Sequence, residues 1–409
     1  MTSTLTNGQL LEAARRFGTP LYVYHAERIT YQFQQLQTAF ANQPVRFFYA
    51  AKALTNLHIL DHIRRIGADI DCSSINEVKL TIQAGFKPDQ ILYTSNSVAF
   101  EEIEEAKSLG VHINIDSLSN LEKFARAFGN TYPVGIRIRP DIMAGGNLQI
   151  STGHDRSKFG IALAELPKVY HLIQAQQLSV RVLHIHTGSE IKEVEVFLKG
   201  LDLLFDLTLN FPQLEVIDLG GGFKVPYQPG ETGTDVNALA KGIEKKLSEY
   251  KASSGKALSI WFEPGKYFVA DAGSLLCKVN VIKQSGTIEF VGVDSGLNQL
   301  IRPMFYGSYH TIDNLSNPEG EQRTYTVVGN VCETDTFAED RSLPQVHEGD
   351  VLAIRTAGAY GFEMASSYNA RFLPAEVLFR GDEMQLIRRR QTMEDLLLTQ
   401  LPLNKQSSD

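Results

Sequence analysis

The sequence predicts an α/β protein in which a (β/α)8 barrel of the TIM type precedes a mostly β C-terminal domain. Between residues 45 and 264, short β-branched or aromatic runs alternate with longer helical patterns. Such a long series of βα units favours a barrel over a doubly wound sheet. From residue 275 onward, strand-like runs follow one another without helices between them, which indicates a second domain.

The barrel prediction depends on eight strand candidates. The first five recur at a spacing of about 22 residues, room for one strand, one helix and two short loops. The intervening NLHILDHIRRIG and FEEIEEAKSLG have apolar residues at i, i+3 and i+4 and end in glycine, which predicts helices. The strand candidates are VRFFYAAKA, ADIDCSS, QILYT, HINIDS, VGIRIRP, VRVLHIHTG, LEVIDLGGG and LSIWFEP.

Two further features concern domain organisation. A Gly-rich polar loop over 141–156 interrupts the series, and long loops in compact domains are usually functional. We predict a barrel domain over 28–275 and a β-rich domain over 276–409, joined by the N-terminal segment 1–27, whose TPLYVY is strand-like. The later strand candidates are CKVNVIK, TIEFVGVD, TYTVVGNVCE, DVLAIRTAG and AEVLFR.

Composition narrows the classes of partner. Hydrophobic residues make up 43% and charged residues 21% of the 409 residues, as in globular proteins. The net charge of −8, without a dense Lys/Arg block, argues against nucleic acid or an anionic membrane as the main partner. The sequence contains no run of about 18 apolar residues, so we predict no membrane span. Its first residues do not have the pattern of a signal peptide, and we expect none. The scattered Cys72, Cys277 and Cys332 predict no disulfide framework, so we expect a cytoplasmic protein.

Polar residues follow the predicted strands at the end where barrel active sites lie. Polar residues also occur at strand ends simply because loops begin there. Lys52 is the most informative, because a lysine that continues a buried strand is costly unless it pairs or reacts. These strand-end positions are Lys52, Asp71, Asn96, Asp116, Arg137, His186, Gly220 to Gly222 and Glu263.

Strand seven ends in three glycines, DLGGGF, which let backbone N–H groups approach a ligand closely. A tight turn is the alternative, but barrels often bind a phosphate after strands seven and eight, and Ser189 could contact the same anion. The mouth thus offers a lysine, a phosphate site, the imidazole of His186 and the carboxylate of Glu263. Pyridoxal 5'-phosphate uses all four, although His186 alone could be an ordinary core histidine.

Several motifs in order resemble the fold-type III pyridoxal-phosphate-dependent decarboxylases, and among them the diaminopimelate decarboxylase family. The resemblance extends from FGTPLYVY to YNARFLPAEVL, nearly the whole chain. It implies decarboxylation of meso-2,6-diaminopimelate to L-lysine and carbon dioxide, the last step of lysine biosynthesis. The matching barrel motifs are FYAAKA, DIDCSS, IRIRP, SKFG, HIHTGS, DLGGGF and EPGK.

The resemblance implies a role for each matching residue. Lys52 would carry the cofactor, His186 would stack on its ring, and Glu263 would bind its ring nitrogen. Lys266 would contact cofactor and substrate, although the family usually has arginine there, and arginine's bidentate fork is lost. The remaining cofactor contacts implied by the motifs are Asp71, Arg137, Ser189, Gly221, Gly222 and Gly265.

The same resemblance extends into the second domain. In IRPMFY, Arg302 and Tyr306 would hold a substrate carboxylate. In VCETDTF, Cys332 would donate a proton and Glu333 would bind the distal ammonium. Tyr360 would contact cofactor and substrate. In this family the Cys-Glu segment enters the partner subunit's barrel, which implies a homodimer with shared active sites.

Alternatives remain at this stage. Another decarboxylase of the same fold, acting on ornithine, arginine or carboxynorspermidine, would share these motifs, as would an alanine-racemase-like protein. An acid at the ring nitrogen argues against the racemase, which does better with a weaker electron sink. A non-catalytic protein that only holds the cofactor or a partner is the third alternative, and the presence of both Lys52 and Cys332 argues against it.

Overall fold

Eight parallel strands close into a barrel in one of the two units into which the chain divides. The computed structural model describes residues 4–140 and 157–402, so the predicted functional loop at 141–156 lies outside the described residues. The barrel unit is Ala26–Ala272, and the second unit combines the chain before Ala26 with the chain from Gly273 onward.

Each barrel strand pairs in parallel with the next, and the eighth pairs with the first. This closure confirms the predicted (β/α)8 fold, and every predicted barrel strand is present with shorter ends. A two-residue strand, Ile161–Ala162, adds to the edge of the fifth. In chain order the eight strands are Val45–Ala50, Asp69–Cys72, Ile91–Thr94, His112–Ile115, Val134–Arg139, Val180–His184, Val216–Asp218 and Ser259–Phe262.

A helix follows each barrel strand, and one more precedes the first. Local capping marks some of the starts: Ser74 accepts a hydrogen bond from the Glu77 N–H, and Ser117 accepts one from the Asn120 N–H. Such caps stabilise a helix by about 1 kcal/mol each. The helices are Ala26–Ala39, Leu57–Arg65, Ile75–Gln83, Phe100–Ser108, Leu118–Phe128, Leu166–Gln176, Val194–Leu207, Val236–Ser254 and Lys266–Val269, with 3₁₀ turns at Ala51–Ala53, Pro88–Gln90, Leu163–Glu165 and Thr208–Asn210.

The second unit is mostly β, as predicted. Its N-terminal strand, Leu21–His25, lies between two later strands, antiparallel to Gly273–Ser285 and parallel to Ala375–Arg380. The predicted strand TYTVVGNVCE was wrong beyond Val328, because the chain leaves the sheet there and Cys332 lies in a loop. The other strands are Ile288–Val293, Ile312–Asn314, Gln322–Val328, Thr336–Pro344, Val351–Ile354 and Glu383–Arg388.

Helix Asn7–Phe17 covers the second unit's sheet. It buries Leu10, Ala13 and Ala14 in a cluster that includes Val23 and Val377 from neighbouring strands. Complete burial of a leucine or valine side chain stabilises the fold by about 2 kcal/mol. Shorter helical segments are Arg302–Tyr306, Met393–Leu397, Phe362–Met364 and Tyr368–Ala370. Across the described ranges, no helix combines the length and apolarity needed to cross a bilayer.

Candidate active site

The barrel interior changes from apolar to polar along its strands. Its apolar layer is a cluster of buried residues from five strands: Phe48, Leu92, Val182, Val216 and Trp261. Side chains two residues apart on a strand point to the same face. The next inward positions on four of these strands therefore form a polar layer, closer to the C-terminal mouth. This layer consists of Thr94, His184, Asp218 and Glu263, all buried.

Hydrogen bonds connect this polar layer. The Asn114 amide Nδ2 donates to Thr94 Oγ1 at 3.1 Å and lies 3.4 Å from Asp218 Oδ2. Thr94 Oγ1 in turn donates to Glu263 Oε1 at 3.4 Å, and His184 Nε2 lies 3.6 Å from the same oxygen. Of these residues only Glu263 was predicted, so four polar groups that support it were missed.

Burial controls the protonation of this layer. It raises the pKa of Glu263 well above its ordinary value, and the nearby Asp218 carboxyl raises it further. Burial also raises the pKa of Asp218 to about 7. The pKa of His184 is lowered well below its ordinary value, again mainly by burial. The layer therefore favours uncharged groups until a cationic ligand arrives to stabilise a carboxylate.

Lys52 lies at the mouth, in the 3₁₀ turn Ala51–Ala53 that follows the first strand. Its Nζ atom is 3.8 Å from Asp71 Oδ2, yet its side chain is 47% exposed. The expectation that this lysine is buried was therefore wrong, because the chain leaves the strand at Ala50 before reaching it. Neither oxygen of the buried Asp71 accepts a hydrogen bond from a described residue. Burial, reinforced by Glu263, raises the pKa of Asp71 well above its ordinary value.

The two predicted phosphate segments lie side by side. The Ile191 N–H donates to the Gly222 carbonyl at 2.8 Å, and the half-buried Ser189 lies two residues before Ile191. Gly222 has φ +99°, and a Cβ there would lie 2.4 Å from the Gly188 oxygen, so only glycine fits. His186 Nδ1 accepts a hydrogen bond from the Gly221 N–H at 3.2 Å. Burial lowers the pKa of His186 well below its ordinary value, which favours the neutral form of its ring.

The remaining barrel candidates lie around this mouth. Arg137 is buried in the fifth strand, 4.6 Å from the centre of the Phe159 ring. Lys266 begins the short helix after the eighth strand, and its ammonium forms an ion pair with Glu190. Gly265, just before it, packs against Ala50, where a Cβ would meet the alanine Cβ at 3.0 Å. Glu190, which sequence reasoning did not identify, has a left-handed φ of +62°.

The second unit contains the other candidates. Arg302 and Tyr306 open and close one short helix, with the guanidinium 5.6 Å from the tyrosine ring centre. Arg302 also donates to Ser308 Oγ at 3.2 Å. Tyr360 has a left-handed φ of +55°, a conformation that is uncommon for a residue with a side chain and often found at functional sites.

Cys332 and Glu333 lie in an exposed loop of the second unit and share one neighbour. The hydroxyl of Tyr368 is 3.2 Å from Cys332 Sγ and donates to Glu333 Oε1 at 2.8 Å. Asn369 Nδ2 donates to the same sulfur at 3.2 Å. Tyr368 and Asn369 begin the segment YNARFLPAEVL, where the family resemblance ends, and no role was predicted for them. Cys72 and Cys277 are buried, and none of the three cysteines is in a disulfide.

The closed barrel holds a lysine, an imidazole, a glycine-rich turn and buried acids at one mouth, an arrangement that fits pyridoxal-dependent enzymes. The family described as "Pyridoxal-dependent decarboxylase, pyridoxal binding domain" matches residues 26–270, nearly the same span as the barrel unit.

Close relatives narrow the class. Diaminopimelate decarboxylase from Methanothermobacter thermautotrophicus is 41% identical over 95% of this chain and 92% of that protein. The enzyme of the same name from Neisseria meningitidis serogroup B is 38% identical over 95% and 94%. The crystal structure of diaminopimelate decarboxylase from Helicobacter pylori complexed with L-lysine superposes with a TM-score of 0.87, at 32% identity over 95% and 98%. The chain belongs to the diaminopimelate decarboxylase family of pyridoxal-dependent decarboxylases.

Proposed function

We propose that the protein removes carbon dioxide from meso-2,6-diaminopimelate to give L-lysine, using pyridoxal 5'-phosphate. The observation that carries this proposal is full-length identity of up to 41% to diaminopimelate decarboxylases. It is supported by a barrel mouth in which the buried carboxyl of Asp71 lies 3.8 Å from the Lys52 ammonium. The Helicobacter pylori relative is a complex with L-lysine, the product proposed here.

The residues at the barrel mouth fit the cofactor. Lys52 would hold it covalently, Glu263 would bind its ring nitrogen, and His186 would contact its ring. The Asp71 oxygens, which accept no hydrogen bond from the part of the chain that the structure describes, and the crowded Gly222 support a preformed site for a polar ligand. Further contacts are proposed for Arg137, Ser189, Gly221, Gly265 and Lys266 of the barrel and for Tyr360 of the second unit.

When bound, the cofactor supplies an electron sink for the electron pair that carbon dioxide leaves behind. The chain's own contribution is electrostatic and positional. Glu263, as a carboxylate, would stabilise a proton on the ring nitrogen. Its high pKa in the free barrel means that ionisation occurs most easily when a cationic partner is present.

Substrate recognition is assigned to the second unit. Arg302 and Tyr306 would bind the distal carboxylate, with Lys266 as a further contact. Glu333 would bind the distal ammonium, and Cys332 would donate a proton from Sγ to the carbon that lost carbon dioxide. A substrate without the distal carboxylate would make no ion pair with the buried Arg302, which disfavours ornithine and L-lysine as substrates.

We further propose a cytoplasmic homodimer, with a barrel domain for the cofactor and a β domain that contributes to the partner's site. Exposure of Cys332 and Glu333 on their own unit supports a role at a surface that meets another chain. The two buried thiols outside any disulfide suit a reducing compartment.

Two assays test the proposal. A panel of diaminopimelate, ornithine, arginine and carboxynorspermidine is incubated with the protein while carbon dioxide is measured. Diaminopimelate should be turned over fastest, and faster release from another amino acid overturns the substrate assignment. Separately, borohydride reduction and peptide mass spectrometry should find the cofactor on Lys52. Lys52→Ala should carry no label, and Lys79→Ala, which removes an exposed lysine on a barrel helix, is the matched control.

A further inference from the structure

Tyr368 lies between the two groups assigned to proton donation and amine recognition. Its Oη atom is 3.2 Å from Cys332 Sγ and 2.8 Å from Glu333 Oε1. The residue is 39% exposed, so close packing alone does not fix the ring. The hydroxyl therefore has two defined polar partners that are adjacent in sequence.

Asn369 holds the same cysteine from a second direction. Its Nδ2 atom donates to Cys332 Sγ at 3.2 Å, and its Oδ1 atom accepts from the Cys332 N–H at 3.0 Å. The amide thus contacts both the thiol and the backbone that carries it. Asn369 has φ +54°, a left-handed conformation that asparagine tolerates better than most residues.

Further contacts tie the loop at 329–335, here called the thiol loop, to the turn at 367–371, here called the Tyr-Asn turn. Arg371 Nη2 donates to the Asn330 carbonyl at 2.5 Å. Asp335 Oδ2 accepts from the Val331 N–H at 3.2 Å within the thiol loop. Ala370 also has φ +54°, which is unfavourable for alanine. A turn held in such a conformation by cross-loop contacts is a feature of functional sites.

We propose that Tyr368 and Asn369 are positioning residues that aim the Cys332 thiol and stabilise its thiolate once the proton has left. This inference rests on the proposed function, because it assumes that Cys332 is the proton donor. It adds Tyr368 and Asn369 to the residues proposed for proton donation. It also explains why Tyr368 contacts both Cys332 and Glu333.

Tyr368 has one hydroxyl hydrogen, which it can donate either to Glu333 or to the sulfur of Cys332. While Cys332 is a thiol, Tyr368 donates to Glu333 and its oxygen accepts the S–H. When the S–H bond breaks, the proton bonds to the substrate carbon and the electron pair stays on sulfur. The Tyr368 O–H then turns to donate to the thiolate beside Asn369 Nδ2, and solvent water later returns a proton to the sulfur.

The second contact of Tyr368 links recognition to proton supply. An ammonium bound at Glu333 satisfies the carboxylate and weakens its hold on the tyrosine hydrogen. That hydrogen is then available to the thiolate. Consistent with this arrangement, the hydrogen bonds from Tyr368 and Asn369 lower the pKa of Cys332 below its ordinary value, against the opposing charge of Glu333.

The test measures the rate of iodoacetamide alkylation of Cys332 against pH, by mass spectrometry of the full-length protein. Tyr368→Phe removes only the hydroxyl, and Asn369→Asp replaces the amide donor while tolerating the left-handed backbone. Both should move the midpoint upward by about half a pH unit or more. Tyr250→Phe, which loses a barrel hydroxyl bonded to Thr208, should leave it unchanged. The buried Cys72 and Cys277 should stay unlabelled.

A functional readout accompanies the titration. Tyr368→Phe should lower kcat for diaminopimelate by about tenfold or more, with a larger solvent deuterium isotope effect as proton donation becomes limiting. Unchanged alkylation midpoints in both variants, with native circular dichroism, overturn the inference. The alkylation measurement needs no substrate. Failure of diaminopimelate turnover in the unaltered protein therefore counts against the proposed function and not against this arrangement.

Discussion

His184 places its Nε2 atom 3.6 Å from the Oε1 atom of Glu263, and both side chains are buried inside the barrel. Burial lowers the pKa of the imidazole and raises that of the carboxyl, each by a large amount. The pair is therefore held uncharged in the cofactor-free protein. A site of this kind favours function at the expense of stability, because the carboxyl must ionise to serve a cationic ring.

The substitution Glu263→Gln separates the effect of this carboxyl on stability from its effect on catalysis. A raised folded-state pKa means that the stability contributed by the protonated carboxyl is present at low pH and is lost as pH rises. Glutamine does not titrate, so the cofactor-free variant should melt above the unaltered protein at pH 8. Its decarboxylase activity should fall by about 100-fold or more. Scanning fluorimetry and carbon dioxide release measure the two quantities. A variant that is less stable at pH 8 would contradict the argument.

The substitution Asp218→Asn should change the free energy of unfolding over a defined range of pH. The pKa of Asp218 is raised to about 7, so its stabilising protonation is complete below pH 4 and is lost as pH rises through 7. Asparagine keeps an acceptor for the Gly220 N–H. The free energy of unfolding of the cofactor-free variant should exceed that of the unaltered protein increasingly from pH 4 to 7, by about 4 kcal/mol in all, and the difference should level off above pH 7. Urea titrations at each pH measure it, and a difference that does not grow over this range would contradict the argument.

Gly222→Ala tests the crowding of the phosphate segments. Gly222 and Gly230 both have left-handed φ angles, +99° and +83°, but only the first would bring a Cβ within 2.4 Å of a carbonyl. Gly230→Ala should cost about 1 kcal/mol from the backbone alone. Gly222→Ala should cost clearly more and should weaken cofactor binding. Equal losses of stability in urea titrations would exclude a steric role for the segment.

Subunit mixing tests the shared active site. Lys52→Ala and Cys332→Ala proteins should each be nearly inactive. If each site draws Lys52 from one chain and Cys332 from the other, mixed dimers contain one intact site. Co-refolding at equal amounts should then restore about a quarter of the unaltered activity. Native mass spectrometry of differently tagged chains verifies mixing, and mixed dimers without activity would place both residues in one chain's site.

The Lys266–Glu190 ion pair should make a measurable contribution to the free energy of unfolding, because both side chains are largely buried. The side chains are 11% and 24% exposed. Lys266→Met should lower the free energy of unfolding by about 1–2 kcal/mol, since it leaves Glu190 without this cation. Adding Glu190→Gln should recover most of the loss. Strictly additive effects in the double-mutant cycle would argue that the pair contributes nothing.

The barrel could be predicted because its parallel strands are buried on both faces and appear as continuous apolar runs. Some strands of the second unit were harder to predict from the sequence. Thr336–Pro344, with the sequence TFAEDRSLP, has no regular alternation of buried and exposed residues and contains charges, so its apolar pattern is weak. Glu383–Arg388 is similarly polar. Such strands are specified by pairing with neighbours, which composition does not reveal.

The polar layer behind Glu263 was missed for a related reason. His184 and Asp218 lie within apolar strand sequences, VRVLH and VID, that resemble ordinary core strands. One signal was available: His184 and His186 are two residues apart in the predicted strand VRVLHIHTG, a spacing that places two side chains on one face of a strand. Tyr368 gave no comparable signal, because its contact with Cys332 joins positions 36 residues apart and arises from tertiary structure alone.

The central place of strand Leu21–His25 has a consequence for biosynthesis. Its two neighbours, Gly273–Ser285 and Ala375–Arg380, leave the ribosome hundreds of residues later. The nascent chain therefore carries, without its partner strands, a segment whose five residues are all buried in the folded protein, while the whole barrel sequence is being translated. Exposed strands of this kind associate with other chains. Slow or interrupted translation should consequently make this segment a target for chaperones before any catalytic residue is in position.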